Sequence, residues 1–175
     1  MKKYQLLLVM CLLISSSAMA GEMPEGWAPP KISAELERIK ALSGKWTGTS
    51  QDQGSEAKPV TVTYQVTSGG TAVVETIDPG TLHEMVSVYH DKAGKLSMNH
   101  YCMLGNEPEL DLKNSSDTTI ALDMSAESHA ALAKEMHMHS LTLTLGANEI
   151  TQTWTAMSAD GKSLPPCVFK LQKSS

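Results

Sequence analysis

Chemically reactive side chains lie on the apolar face of two segments in which apolar and polar residues alternate. In one segment His100 and Cys102 stand in phase with apolar residues, and in another His137 and His139 do the same. Side chains of a β-strand alternate between its two faces, so these groups are predicted to point inward. Burying imidazoles and a thiol is unfavourable unless each finds a partner, so this pattern marks a candidate site.

About ten such segments follow one another, separated by turns that contain glycine. The predicted strands are 46–51, 60–67, 72–77, 82–91, 95–104, 110–113, 118–124, 137–145, 150–157 and 164–171. Consecutive strands joined by short links favour an antiparallel barrel, which has no free edge. The sequence therefore predicts an all-β fold, a single antiparallel up-and-down β-barrel.

Two short helices are predicted beside the strands. Apolar residues recur at helical spacing from Ile32 to Leu42, with Ser33 as the N-cap. This helix is expected to close one end of the barrel, where Trp46 packs. The alanine-rich segment 125–135 is predicted to form a second helix over the opposite mouth.

The amino-terminal segment has the pattern of a secretory signal. Two lysines precede an apolar run that ends at an A-x-A motif before Gly21. We expect residues 1–20 to be a signal peptide, 21–30 a flexible lead-in and 31–175 the barrel domain. The apolar run is too short to span a bilayer, so the sequence predicts export to the periplasm or exterior without membrane insertion.

Charge and motif content narrow the range of possible functions. Nineteen acidic residues against fourteen basic ones give a net charge of −5, which argues against nucleic acid and anionic membranes as partners. No Ser-His-Asp order and no nucleotide-binding loop is visible, so the sequence favours a binding protein over an enzyme.

The predicted register of the hairpin 82–104 decides which polar groups meet. A glycine-bulged turn at residues 92–94 would keep the apolar faces of both strands aligned. In that register Glu84 is a direct neighbour of Cys102 and a diagonal neighbour of His100. Strand directions then place these three groups at the same mouth as the two histidines of the eighth strand.

Three roles for the inward groups remain open. The first is a pocket for a small apolar molecule, which barrel interiors commonly provide. Its predicted ligand-binding residues are Tyr64, Glu75, Glu84, Met98, His100 and Trp154. The second is a zinc or copper site, because imidazole, carboxylate and thiolate suit those ions. Its predicted ligands are Glu84, His100, Cys102, His137 and His139. The third is a structural polar core without a ligand.

Cys102 and Cys167 are the cysteines that remain after signal cleavage. Exported proteins keep disulfides, so a bond between these two residues is one expectation and a pair of free thiols is the other. A bond would remove Cys102 from any metal site.

The motif Gly44-Lys45-Trp46-Thr47-Gly48 resembles the entry to the first strand in lipocalin-like and nitrobindin-type barrels. Nitrobindin-type barrels bind haem through a histidine near the C-terminus, and no histidine follows His139, so haem is not expected. Further stretches are similar to a family of uncharacterised secreted lipocalin-like, calycin-type barrels. They are 70–76, 84–90, 100–106, 137–140 and 152–155. This resemblance implies the barrel fold and export, and it assigns no activity.

Overall fold

Ten β-strands form a closed barrel in which each strand is antiparallel to both of its neighbours. The computed structural model describes residues 26, 28 and 30–174, so the predicted signal peptide lies outside the described residues. Strands adjacent in the sequence are adjacent in the barrel, and the last strand pairs with the first. The predicted up-and-down barrel is confirmed.

Strand and helix bounds follow the sequence prediction closely. The strands are β1 (Gly44–Asp52), β2 (Lys58–Thr67), β3 (Ala72–Ile77), β4 (Met85–Lys92), β5 (Lys95–Tyr101), β6 (Glu109–Ser115), β7 (Thr119–Met124), β8 (His137–Leu145), β9 (Glu149–Met157) and β10 (Cys167–Lys173). The helices are α1 (Ala34–Lys40) and α2 (Ala126–Ala131). No helix in the described part of the chain is long and apolar enough to cross a membrane.

Helix α1 closes one end of the barrel. The Ser33 side chain caps the helix by accepting a hydrogen bond from the Leu36 amide at 3.1 Å. Leu36 and Ile39 are fully buried. The Trp46 indole is also buried and donates a hydrogen bond to the carbonyl oxygen of Leu42 at 2.7 Å. This end therefore has a packed apolar plug, as the sequence predicts.

The turn between β4 and β5 shifts the predicted register by one residue. It consists of Ala93 and Gly94, whose φ angles of 52° and 78° are both positive. Two positive φ angles are the requirement of a type I′ turn, which has no bulge residue. The predicted glycine-bulged turn is therefore wrong. Alternation in the sequence predicts Val86, Val88 and His90 on the inward face of β4, whereas the structure buries Ser87 and Tyr89.

Gly48 provides a test of how closely the first and last strands approach. A Cβ atom at this position would lie 1.9 Å from the carbonyl oxygen of Lys170, a backbone atom that cannot move aside alone. We expect Gly48→Ala to lower the free energy of unfolding by about 1 to 3 kcal/mol, the usual range for overpacking. Urea unfolding measures the change, and Thr47→Ala is the control. Equal unfolding midpoints for both variants would contradict the close approach.

Candidate functional site

A cavity of about 230 Å³ opens at the end of the barrel opposite α1. Its apolar wall includes Ile77, Leu104, Trp154 and Phe169. Four methionines also line it, and they are Met85, Met103, Met136 and Met138. These side chains come from the strand ends that meet at this mouth and from the loops that follow them. The barrel interior is therefore packed with side chains at the end that α1 closes and is open at the opposite end.

The rim of the cavity exposes large apolar side chains. Met103, Leu104 and Met136 keep 57%, 47% and 46% of their surface accessible. Exposed apolar side chains that continue into an apolar cavity are typical of a ligand-binding mouth. Helix α2 connects β7 to β8 at this end, but its own residues do not line the cavity.

His100 is the imidazole that faces the cavity. It is 1% exposed, and its ring centroid lies 4.8 Å from that of Trp154. Its Nδ1 lies 3.0 Å from the Ser87 hydroxyl, which leaves Nε2 without a hydrogen-bond partner among the described residues. Burial lowers the pKa of His100 to about 4, so the ring is neutral at pH 7.

A buried polar network lies beneath the cavity. The hydroxyl groups of Tyr64 and Tyr89 donate to the two carboxylate oxygens of Glu75 at 2.8 and 2.9 Å. The Gln152 amide donates to the Tyr64 hydroxyl and to Glu75, and its oxygen accepts a hydrogen bond from the Trp154 indole. Burial raises the pKa of Glu75, whereas these donors oppose that rise. The network fixes the Trp154 ring at the cavity floor.

The six predicted ligand-binding residues separate into three groups. His100 and Trp154 line the cavity. Tyr64, Glu75 and Met98 are buried in the filled part of the barrel and lie outside the cavity lining. Of these five residues, only His100 and Trp154 are therefore placed to touch a ligand directly.

Glu84 forms the third group, and its predicted inward position is wrong. It is exposed, it precedes β4, and its carboxylate accepts a hydrogen bond from the Gly80 amide. The cause is the two-residue turn between β4 and β5, which breaks the predicted pairing of Glu84 with Cys102. Glu84 therefore belongs to the connection between β3 and β4.

The predicted convergence of His137 and His139 on the cavity is wrong, although His137 is buried, with 2% of its surface exposed. The register of β8 against β9 shifts between Met138 and Ser140, which makes His139 the extra residue of a β-bulge. A bulge changes the face on which the neighbouring side chains lie. Met138 lines the cavity as a result, whereas neither histidine does.

The two histidines of β8 form a separate cluster with helix α2. The His139 ring centroid lies 5.7 Å from that of His137 and 5.8 Å from that of His129. Its Nε2 is 3.7 Å from a carboxylate oxygen of Asp123, and the Nδ1 of His137 donates to the Glu135 carbonyl. The predicted metal ligands are thus dispersed. Within residues 30–174, no group of three or more His, Cys, Asp or Glu side chains is arranged to hold a metal ion.

Cys102 and Cys167 both line the cavity as free thiols, so the predicted disulfide is absent from this structure. Burial, together with a hydrogen bond to Asp52, raises the pKa of Cys167 to about 12. The Cys167 thiol therefore stays protonated at neutral pH, and a protonated thiol is a poor nucleophile.

Sequence reasoning missed the methionines and Ser87 as site residues. Ser87 was missed because the register of β4 was predicted one residue out. Met136 and Met138 stand on either side of a histidine in the sequence, and their spacing of two was the available signal for a shared face.

No family model and no curated protein matches the chain. Among solved structures, it is similar to Rv2717c from M. tuberculosis, with 12% identity, a TM-score of 0.60 and coverage of 83% of this chain and 100% of that one. This likeness shows a shared barrel fold.

Two further structures are similar at lower scores. One is a DUF3598 protein of unknown function from Nostoc punctiforme, with 12% identity and a TM-score of 0.45, matched over 78% of this chain and 48% of that one. The present chain spans about half of its length. The other is the redesigned β-barrel b11L5F_LGL, with 14% identity and a TM-score of 0.38 over 78% and 95% of the two chains.

The buried imidazole of His100 makes stability depend on pH in a defined direction. Its pKa falls from 6.5 to about 4 on folding, so the unfolded chain binds more protons between these values. Stability is therefore lost as the pH falls through this window, by about 3 kcal/mol. In the variant His100→Asn, the amide N–H can still donate a hydrogen bond to Ser87, and the titratable imidazole is removed. The stability advantage of the wild type over this variant should shrink by that amount between pH 7 and pH 4 in urea unfolding.

The control for this prediction is His83→Asn, which changes an exposed imidazole. Its stability difference from the wild type should stay nearly constant over the same pH range. If His100→Asn behaves in the same way as the control, the imidazole is not buried in its neutral form.

Proposed function

We propose that this protein is an exported barrel that binds a small, mostly apolar molecule in the cavity at its open mouth. One observation carries the proposal: an apolar cavity remains unfilled at one end of an otherwise packed barrel. Natural interiors are close-packed, so an open apolar cavity with an exposed apolar rim has the character of a binding site. Its volume lies below the usual range of about 300 to 1,000 Å³ for ligand pockets, so it suits a small ligand.

The lining defines the chemical class of the ligand. Most of the wall consists of aromatic, aliphatic and thioether side chains, which favour an uncharged molecule because burying an ion in such a wall is costly. The neutral ring of His100 supplies one hydrogen-bonding position inside the cavity. An apolar body with a single polar group matches this lining best.

The buried network around Glu75 supports a structural role for the remaining inward polar groups. Each of its members has a hydrogen-bond partner within the network, so none is left for a ligand. The predicted structural polar core thus applies to Tyr64, Glu75 and Gln152, whereas His100 belongs to the binding site.

Export is part of the proposal and rests on the sequence of residues 1–20. Their basic start, apolar run and A-x-A motif favour secretion with cleavage near Ala20. The resemblance to secreted lipocalin-like barrels points the same way. In this proposal residues 21–30 are a lead-in and residues 31–175 form the binding domain.

A neutral fluorescent probe tests the cavity directly. N-phenyl-1-naphthylamine should bind with a stoichiometry of one, and its fluorescence should rise as it leaves water. Met138→Trp fills the cavity and should weaken probe binding by about tenfold or more, equivalent to about 1.4 kcal/mol. The fluorescence titration measures both quantities.

The matched control is Met157→Trp, which introduces the same side chain at a position on β9 outside the cavity lining. It should leave probe affinity within about twofold of the wild type. Equal binding by both variants, or no binding by the wild type, would overturn the proposed function.

A further inference from the structure

We propose that the same cavity holds one soft monovalent metal ion, Cu(I), bound by Nε2 of His100 and by methionine thioethers. The donor set differs from the one predicted from the sequence, because its sulfur ligands are thioethers and it uses neither Glu84 nor the histidines of β8. The inference goes beyond the proposed function and does not depend on it.

The distribution of methionine carries the first step. Residues 30–174 contain seven methionines, and four of them line this one cavity. Ile77 and Leu104 are the aliphatic side chains that accompany them. Four thioether groups around one cavity supply soft donors, and thioether ligands select Cu(I) over harder divalent ions.

The orientation of His100 carries the second step. The Ser87 hydroxyl lies 3.0 Å from Nδ1 of His100. In the tautomer that carries its proton on Nδ1, the ring donates that proton to the Ser87 hydroxyl oxygen. The lone pair of the imidazole then resides on Nε2, which has no partner among the described residues and belongs to a ring that lines the cavity. Metal-binding histidines are oriented by a hydrogen bond of this kind on the other ring nitrogen.

The positions of the sulfur donors carry the third step. Met85 and Met138 are half-buried in the wall, whereas Met103 and Met136 lie at the exposed rim. Methionine side chains have three rotatable bonds, so those at the rim can turn inward over a bound ion. Asp52 also lines the cavity and supplies a negative charge that offsets the charge of the cation.

A donor set of one neutral imidazole and several thioethers also predicts which ions should fail to bind. Zinc sites are built from thiolates, imidazoles and carboxylates, and no group of three such side chains is arranged for a metal among the described residues. We therefore expect binding of Cu(I) and Ag(I) and no comparable binding of Zn(II). The ion and an apolar ligand would occupy one cavity and should compete.

Competition with a chromophoric chelator measures the site. Anaerobic titration of the reduced full-length protein with Cu(I) in the presence of bicinchoninate should transfer one ion per chain. The double variant Met85→Ile and Met138→Ile should lower Cu(I) affinity by at least about 100-fold, since it removes two ligands and keeps their apolar volume. The control, Met124→Ile with Met157→Ile, changes methionines outside the cavity lining and should bind as the wild type does.

Two further measurements keep the inference falsifiable. Addition of Ag(I) should shift the methyl NMR signals of cavity methionines and leave those of Met124 and Met157 unchanged. Cys102→Ser with Cys167→Ser should retain Cu(I) binding. The inference is overturned if no copper leaves the chelator, if Zn(II) binds equally well, if the shifts fall outside the cavity, or if the cysteine variant alone loses binding.

Binding of the fluorescent probe tests the proposed function separately from the Cu(I) site. The Met85→Ile and Met138→Ile double variant keeps an apolar wall, so it should still bind N-phenyl-1-naphthylamine while it loses Cu(I). A protein that binds the probe and no Cu(I) contradicts the metal site alone. A protein that binds Cu(I) and no probe contradicts the apolar-ligand proposal alone.

Discussion

The carboxylate of Glu75 is the group on which the interior of this barrel depends. It is fully buried on β3, and a buried carboxylate is costly unless donors surround it. The donors come from three other strands, namely Tyr64 of β2, Tyr89 of β4 and Gln152 of β9. Because β9 lies across the barrel from β3, this one group connects opposite walls. Removing it would leave the buried Tyr89 hydroxyl without a partner and the Tyr64 hydroxyl without an acceptor for its proton, which costs more than the net value of the hydrogen bonds themselves.

The same network determines the floor of the cavity. Gln152 accepts a hydrogen bond from the Trp154 indole, and the Ser87 hydroxyl lies 3.0 Å from Nδ1 of His100. The two rings that face the cavity are therefore held by groups that do not touch a ligand. Preorganised rings lose little conformational freedom on binding, so the affinity of the site depends on residues beneath it as well as on its wall.

The sequence was sufficient to predict which segments form strands, how they run and the pairing of Cys167 with Trp154, but not the local register at β4 and β8. Strand number and direction follow from many residues acting together, so Cys102, Cys167 and His100 were correctly expected at one mouth. The face of the sheet on which a side chain lies depends on single residues. The turn at Ala93 and Gly94 and the bulge at His139 each shift the pairing by one position, and each leaves predicted ligands outside the cavity lining. Neither a turn type nor a bulge leaves a periodic signal in the sequence.

The two ends of the barrel differ in how completely their apolar surface is buried. At one end α1 and Trp46 bury their apolar surface completely, and Gly48 lets β1 approach β10 closely. At the other end the strands finish in loops with exposed methionine and leucine side chains, and no element of the described chain fills the space between them. Apolar surface left in water is unfavourable, so a packed barrel gains nothing for its own stability from this mouth. A molecule or ion that covers the mouth would recover that free energy, which makes the open end the part of the fold where binding stabilises the protein most.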